Sequence, residues 1–325
     1  MMPTFSLDEL HDATSTVRVL VPATPAYAWP LLARRVGAEV IVKHENHTPT
    51  GSFKVRGGLV YVDALRRQAR LPPGLVTATR GNHGQSVAIA ATQAGIPALI
   101  VVPEGNSAEK NAAMEAFGGE LIVAGKDFDE ARAVAAGLAS ERGYHLVPSF
   151  HHSLVLGVAT FAFELLASIA DLHFVYVPIG MGSGICGMIT VRDLLGLKTE
   201  IVGVVAVNAP AFALSLEAGH PVSINWANTF ADGLACRQPQ PEAFEIIGKG
   251  VAEIVRVSED EIAGAMRVLY TDTHNVAEGS GAASLAALMK QRANRQGKRI
   301  GIVLSGGNID IPVLSRILRG ETPQV

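Results

Sequence analysis

The sequence predicts an α/β protein of two doubly wound domains with mainly parallel sheets, the smaller domain inserted in the larger. Three observations carry that expectation. Short apolar runs alternate with longer stretches of helical spacing, glycine-containing loops follow several of the runs, and 325 residues would crowd a single sheet. In chain order, 38–43 (AEVIVK), 75–78 (LVTA), 98–102 (ALIVV), 120–123 (ELIV), 174–178 (FVYVP), 201–206 (IVGVVA), 254–257 (IVRV) and 299–304 (RIGIVL) read as buried strands. Between them, 51–68, 82–93, 107–117, 127–141, 153–167, 259–274 and 281–293 carry apolar residues at helical spacing, with Ser107 and Ser258 as N-caps. The piece from about Pro72 to Pro148 holds its own alternating set of strands and helices. A small domain over 71–148, set into a large one built from 1–70 and 149–325, follows from that.

Composition narrows the function classes. With 48% hydrophobic and 18% charged residues, the chain can bury a core, which excludes disorder. Lys+Arg 27 against Asp+Glu 30 gives a net charge of -3 with no basic stripe, so no nucleic acid partner is expected. Cys186 and Cys236 are too few for a disulfide framework or a zinc knuckle. The start, MMPTFSLDELHDA, is acidic where a signal peptide is basic and then apolar, and the longest apolar runs are interrupted by Pro103 and Pro178. A cytoplasmic protein with no membrane segment is the expectation.

In doubly wound sheets, ligands lie beyond the carboxyl ends of the strands, so the loops there are where chemistry belongs. Pro49-Thr50-Gly51-Ser52-Phe53-Lys54 opens a helix after 38–43. A lysine beside an aromatic ring at a helix start is near the positive dipole end and in apolar surroundings, and both favour the neutral amine that Schiff-base chemistry needs. Taken alone, such a lysine is usually a solvated surface residue. Thr79-Arg80-Gly81-Asn82-His83-Gly84-Gln85 follows 75–78 and starts the next helix, where backbone N–H groups suit a carboxylate. In isolation the same stretch reads equally well as a turn with Asn82 as N-cap.

Gly180-Met181-Gly182-Ser183-Gly184-Ile185-Cys186-Gly187 follows 174–178 and suits a phosphate. Gly182, Gly184 and Gly187 also satisfy GxGxxG, but Val207-Asn208 stands where a dinucleotide site needs an acidic residue about 20 positions on. Ser305-Gly306-Gly307-Asn308 follows 299–304 and offers a hydroxyl that can meet a heteroaromatic nitrogen without adding charge.

These four loops, in this order, resemble the pyridoxal-phosphate enzymes of fold type II, the tryptophan-synthase-β-like group, and within it the threonine/serine dehydratases and serine racemases. The likeness extends to Thr229-Phe230-Ala231-Asp232-Gly233, and to Glu278-Gly279-Ser280-Gly281-Ala282, with Gly279 where the group usually has proline. It implies pyridoxal 5'-phosphate as cofactor, with Lys54 as the Schiff-base lysine and Cα proton shuttle, Phe53 packing on the ring and Asn82 at its 3'-oxygen. Gly180, Met181, Gly182, Ser183 and Gly184 would cradle the phosphate, Ser305 would meet the pyridine nitrogen and Glu278 would lie near the ring. Thr79, Gly81 and His83 would take the substrate carboxylate.

The reaction so implied is dehydration and deamination of a small β-hydroxy amino acid such as L-threonine or L-serine to a 2-oxo acid and ammonia. A neutral pyridine opposite Ser305 is a weak electron sink, which favours elimination over transamination. A β-replacement synthase on the same fold and a non-catalytic ligand-binding module are the rival readings. The group is usually homodimeric.

Three departures bear on the reading. Arg80 stands where the group's racemases have a serine; an arginine cannot move a proton, but it can pair with a second carboxylate, as in 3-hydroxyaspartate. Where some relatives hold a divalent cation, 208–214 reads NAPAFAL without a carboxylate, and His151-His152 lacks a third ligand, so no metal is expected. Met181 interrupts the glycine run, which requires a negative φ there. The chain stops at Val325 without room for an added regulatory domain, so allosteric control of that kind is not expected.

Overall fold

From the amino end the chain forms α1 (Leu7–Arg18), the short strand β1 (Ala26–Ala28), α2 (Pro30–Val36) and β2 (Glu39–His44). The computed structural model describes residues 5–169 and 171–324. A first α/β run follows, α3 (Lys54–Arg67), β3 (Leu75–Ala78), α4 (Asn82–Ala94), β4 (Ala98–Val102), α5 (Ala108–Ala116), β5 (Gly119–Val123), α6 (Phe128–Arg142) and β6 (His145–Leu146). After α7 (His152–Ser168) come β7 (Phe174–Pro178), α8 (Ser183–Leu194), β8 (Glu200–Ala206), α9 (Ala211–Ala218) and α10 (Pro241–Gly250). The chain then runs through β9 (Val251–Val257), α11 (Glu259–Thr273), α12 (Gly279–Gln291), β10 (Arg299–Leu304) and α13 (Ile311–Leu318).

Local chemistry sets the helix starts. The Ser107 hydroxyl accepts from Lys110 N at 3.0 Å to open α5, and Asp127 accepts from Glu130 N at 3.0 Å to open α6. Ser258 and Glu261 form a reciprocal capping box at α11. The two serine caps expected from sequence are therefore both present. Asn82 is the exception: Gly81 is the N-cap of α4 and Asn82 its first helical residue, because the chain turns one residue earlier, at Gly81.

The chain forms two compact units. The larger comprises Met1–Leu7, Ala23–His47 and Ala159–Val325. Its six-stranded sheet has the order β1-β2-β10-β7-β8-β9, in which only the pair β1–β2 is antiparallel. β2 and β8 are buried along nearly their whole length, as a parallel sheet covered on both faces requires. Val40, Val42, Tyr176, Val202, Val204, Ile300 and Ile302 meet Leu269 of α11 and Leu285 and Leu288 of α12 in one core. Cys186 on α8 and Cys236 are free, buried thiols, and burial pushes both above the usual thiol range, Cys236 to about 12.

The smaller unit comprises Asp8–Pro22 and Thr48–Val158. Its sheet is all parallel, in the order β5-β4-β3-β6. On one face Val55, Leu59 and Val62 of α3 and Val87 and Ile89 of α4 pack with Leu75, Ile100 and Val102, joined by Ala13 and Val17 of α1. Ala131, Ala135 and Ala139 of α6 cover Val76, Leu99 and Val101 on the other face. Residues 48–70, expected with the larger domain, thus cluster with the smaller, because the apolar face of α3 is spent on α4 and β3.

β1 and β6, at three and two residues, are too short to leave a periodic signal, and the sequence reading passed over them. Among the described residues no helix is long and apolar enough to cross a membrane. Nor do those residues hold a group of three or more His, Cys, Asp or Glu side chains able to bind a metal ion.

One buried ion pair stands out in the larger unit. Lys43 of β2, with no exposed side-chain surface, donates to Glu164 of α7 at 2.6 Å and to the Thr24 carbonyl at 2.8 Å, with Glu45 at 3.8 Å. Lys43→Met should lower the unfolding free energy by about 3–5 kcal/mol, since it leaves buried carboxylates without their cation. Urea denaturation checks this, and adding Glu164→Gln should recover part of the loss.

Candidate active site

In the smaller unit the segment before α3 is locked by its own side chains. Thr48 Oγ1 donates to the Ser52 carbonyl at 2.8 Å and accepts from Ser52 N at 2.9 Å, while Thr50 Oγ1 also reaches that carbonyl. Phe53 is the N-cap of α3 and Lys54 its first residue, with Nζ 5.1 Å from the centroid of the Phe53 ring. The Lys54 carbonyl accepts from Ser86 Oγ at 2.6 Å, which ties the start of α3 to the second turn of α4.

Beside it, Thr79 directly follows β3. Its Oγ1 accepts from Gly81 N at 3.0 Å and Gly84 N at 3.3 Å, which fixes the turn into α4. The first N–H groups of a helix have no acceptor within it, so the start formed by Asn82 and His83 suits an anion. Arg80 is exposed, and the Lys110 side chain of α5 lies flat on Gly81, where an added Cβ would sit 2.9 Å from Lys110 Cδ. The structure therefore gathers Phe53, Lys54, Thr79, Arg80, Gly81, Asn82 and His83 in one unit.

In the larger unit, β7 leads directly into the glycine loop. Gly182, the N-cap of α8, has φ 99, a left-handed conformation that favours glycine, and its carbonyl accepts from Cys186 N at 3.0 Å. Met181 does not share it, so its φ is not positive, as required. Gly180 lies so close to the Gly233 carbonyl that a Cβ would collide with it, and Gly233 in turn touches Ser280. Ser280 Oγ donates to Glu278 Oε1 at 2.7 Å, and Glu278 N donates to the Gly306 carbonyl at 3.1 Å. The glycine loop, Glu278 and the segment of buried Ser305 are thus linked by a continuous run of contacts, backbone to backbone at Gly180 and Gly306 and through the Ser280 and Glu278 side chains between.

These residues suit a phosphorylated pyridine. Within the larger unit, a glycine-lined helix start that a Cβ would fill fits its phosphate, and the buried, uncharged Ser305 hydroxyl fits its ring nitrogen; within the smaller unit, taken by itself, a lysine at a helix start lies over an aromatic ring.

Two histidines are held neutral. His83 has its pKa pushed down to about 3 by burial and by the Lys54 charge, and its Nε2 is buried without a hydrogen-bond partner. His44, which pairs with Leu304 just before Ser305, is held at about 4, chiefly by burial and then by His47 stacked on it with centroids 4.9 Å apart. His44 Nε2 accepts from Trp29 Nε1 at 3.1 Å, so the neutral ring carries its proton on Nδ1.

Sequence reasoning missed Ser52, His44 and Lys110. Ser52 is fully buried with an unpartnered hydroxyl immediately before Phe53, and its place in the run Gly51-Ser52-Phe53-Lys54 was the available signal. Lys110 had none, since it reaches Gly81 only through the packing of α5 on α4.

Comparison with known proteins gives a consistent result. Residues 17–306 match the family described as pyridoxal-phosphate dependent enzyme. The chain is 36% identical over 290 residues to the biosynthetic L-threonine dehydratase of Salmonella typhimurium, an alignment that takes in 88% of this chain and 56% of that one. It therefore spans little more than half the length of that relative. To the L-threo-3-hydroxyaspartate ammonia-lyase of Saccharomyces cerevisiae it is 30% identical, over 99% of this chain and 98% of the other. The structure of the processed form of threonine deaminase isoform 2 from Solanum lycopersicum superposes with a TM-score of 0.88 at 30% identity, covering 98% of this chain and 95% of that one.

Both histidines lie below the usual 6.5 when folded, so the unfolded chain binds more protons between pH 6.5 and about 4, and stability should fall on acidification through that window. His44→Gln and His83→Gln should each flatten the dependence of the urea midpoint on pH there.

Proposed function

The chain belongs to the pyridoxal-phosphate dependent enzymes, and on that footing we propose that it dehydrates and deaminates a small β-hydroxy amino acid, L-threonine or L-serine being the simplest, to a 2-oxo acid and ammonia. The observation that carries this reading is Lys54 on the first residue of α3, its carbonyl bonded to Ser86 and its charge felt by a neutral His83. A binding module has no need of such a lysine. A nicotinamide dehydrogenase is set aside by the family.

When bound, pyridoxal phosphate supplies an electron sink that acidifies the Cα–H of an amino acid and lets its β-hydroxyl depart as water, hydrolysis then giving the 2-oxo acid and ammonia. Lys54 Nζ takes the Cα proton. Thr79, Gly81 and His83 take the α-carboxylate at the start of α4, where the helix dipole favours an anion. Gly180, Met181, Gly182, Ser183 and Gly184 would hold the phosphate, Phe53 would pack on the ring, Asn82 would bond its 3'-oxygen and Glu278 would lie near it. Ser305 would bond the ring nitrogen with a hydroxyl, which brings no negative charge to keep that nitrogen protonated, and this favours elimination over transamination.

A second substrate, 3-hydroxyaspartate, is favoured by Arg80, whose guanidinium fork fits a second carboxylate. A β-replacement synthase would be told apart by products formed with an added thiol. A cytoplasmic homodimer is part of the same proposal; the buried, unpaired cysteines fit a reducing compartment, and sedimentation of the purified protein tests the oligomeric state.

Lys54→Ala should abolish the visible absorption of the bound cofactor and cut 2-oxo acid release from L-threonine or L-serine by about 10³-fold or more. Ser305→Asp should retain the cofactor yet shift products toward transamination, because a carboxylate there keeps the ring nitrogen protonated. A colourless wild type that pyridoxal phosphate cannot reconstitute would overturn the assignment.

A further inference from the structure

Resting on the reading that the loop from Gly180 to Gly184 holds the cofactor phosphate, we infer that Glu259 of α11 is a positioning residue for that phosphate, acting through the segment 229–233. Its carboxylate is linked to the loop by contacts that follow one from the next. Glu259 Oε2 accepts from Thr229 Oγ1 at 3.0 Å and from Phe230 N at 3.2 Å. Thr229 Oγ1 accepts in turn from Ala231 N at 3.1 Å, and the Ala231 carbonyl accepts from Leu234 N at 2.7 Å, which closes a short turn. That turn presents the Gly233 carbonyl to Gly180, so closely that a Cβ on Gly180 would collide with its oxygen.

Helix α11 has its own reasons for two of the three acidic residues in its first turn. Glu261 closes the capping box with Ser258 and meets Lys290 at 3.1 Å, and Asp260 accepts from the Thr322 hydroxyl. Glu259 instead turns to the loop, half-buried; burial pushes its carboxyl above the usual range, and the Thr229 and Phe230 donors offset part of that. The far side of the segment is closed by the start of α12. A Cβ on Gly279 would meet Ala231 Cα and Phe230 Cε2 at 2.9 Å, and one on Gly233 would meet Ser280 Oγ at 2.6 Å. Released by Glu259, the segment moves the Gly233 carbonyl against Gly180, two residues before the left-handed Gly182 that starts α8. The N–H groups of that helix start then lose their aim at a phosphate, while the buried Ser305 hydroxyl keeps its place.

The test compares the binding of pyridoxal 5'-phosphate with that of pyridoxal, which lacks the phosphate, followed by visible absorption as each is added back to the stripped full-length protein. Wild type should prefer the phosphorylated form by about a hundredfold or more, the scale of two charge-assisted bonds. Glu259→Ala should cut that preference by about tenfold while pyridoxal binds as before. Glu259→Gln should cost only about threefold, since one amide oxygen still accepts from both donors without the charge. Thr229→Val should act like Glu259→Ala, and the two together should add little to either alone. Glu261→Ala, which removes a cap from the same turn, should lower the urea midpoint and leave the preference unchanged.

A preference unmoved in Glu259→Ala, an equal loss for both ligands, or as large a fall in Glu261→Ala overturns the inference. If Glu259→Ala does not fold, Glu259→Gln and Thr229→Val carry the same comparison, and an unmoved preference in both overturns it. A wild type that binds the two forms equally would defeat the phosphate-loop reading and this inference with it. A strong wild-type preference untouched by the Glu259 variants would leave that reading standing and defeat this one alone.

Discussion

Parallel pairing is the constraint on which the rest depends. In each unit, parallel strands joined by helical crossovers put their carboxyl ends at one edge of the sheet, the antiparallel β1 of the larger unit running the other way. The loops after β2, β7, β8 and β10 therefore emerge side by side in the larger unit, and those after β3 and β4 do so in the smaller. Residues far apart in sequence, Gly180, Glu278 and Ser305, become neighbours through no special device. What the sequence adds is small residues at the crossings, so that backbone meets backbone where Gly180 approaches Gly233 and where Gly281 approaches Gly306.

The same constraint explains what could be read without coordinates. A buried parallel strand is a short apolar run followed by a turn, and each of the four chemical loops sits directly after such a run, so both the strands and the loops were visible. Where the pattern is only two or three residues long, as in β1 and β6, there is nothing periodic to detect. Amphipathicity also says that α3 has an apolar face without saying which sheet receives it, and that is why the boundary near residue 70 lies instead at Thr48. Lys110 and His44 acquire their roles from packing alone; one lies against a neighbouring loop, the other is stacked on His47 and meets Trp29 edge-on.

Charge is handled differently in the two units. The larger keeps a lysine at full burial only with carboxylates around it, a closed arrangement that fixes the end of β2. By contrast, the smaller unit presents the first N–H groups of α4, which have no acceptor within the helix, an open arrangement that an anion can complete. His83 and His44 stay neutral in both settings because burial outweighs whatever hydrogen bonding they have.

The two cysteines give the fold an internal record of its own opening. A thiol reagent attacks the thiolate, and both Cys186 and Cys236 are buried and held well above the pH at which thiolate forms. Labelling in native buffer therefore proceeds only through molecules whose larger unit has come apart around α8 or the segment before α10, and its rate counts those excursions rather than catalytic turnovers.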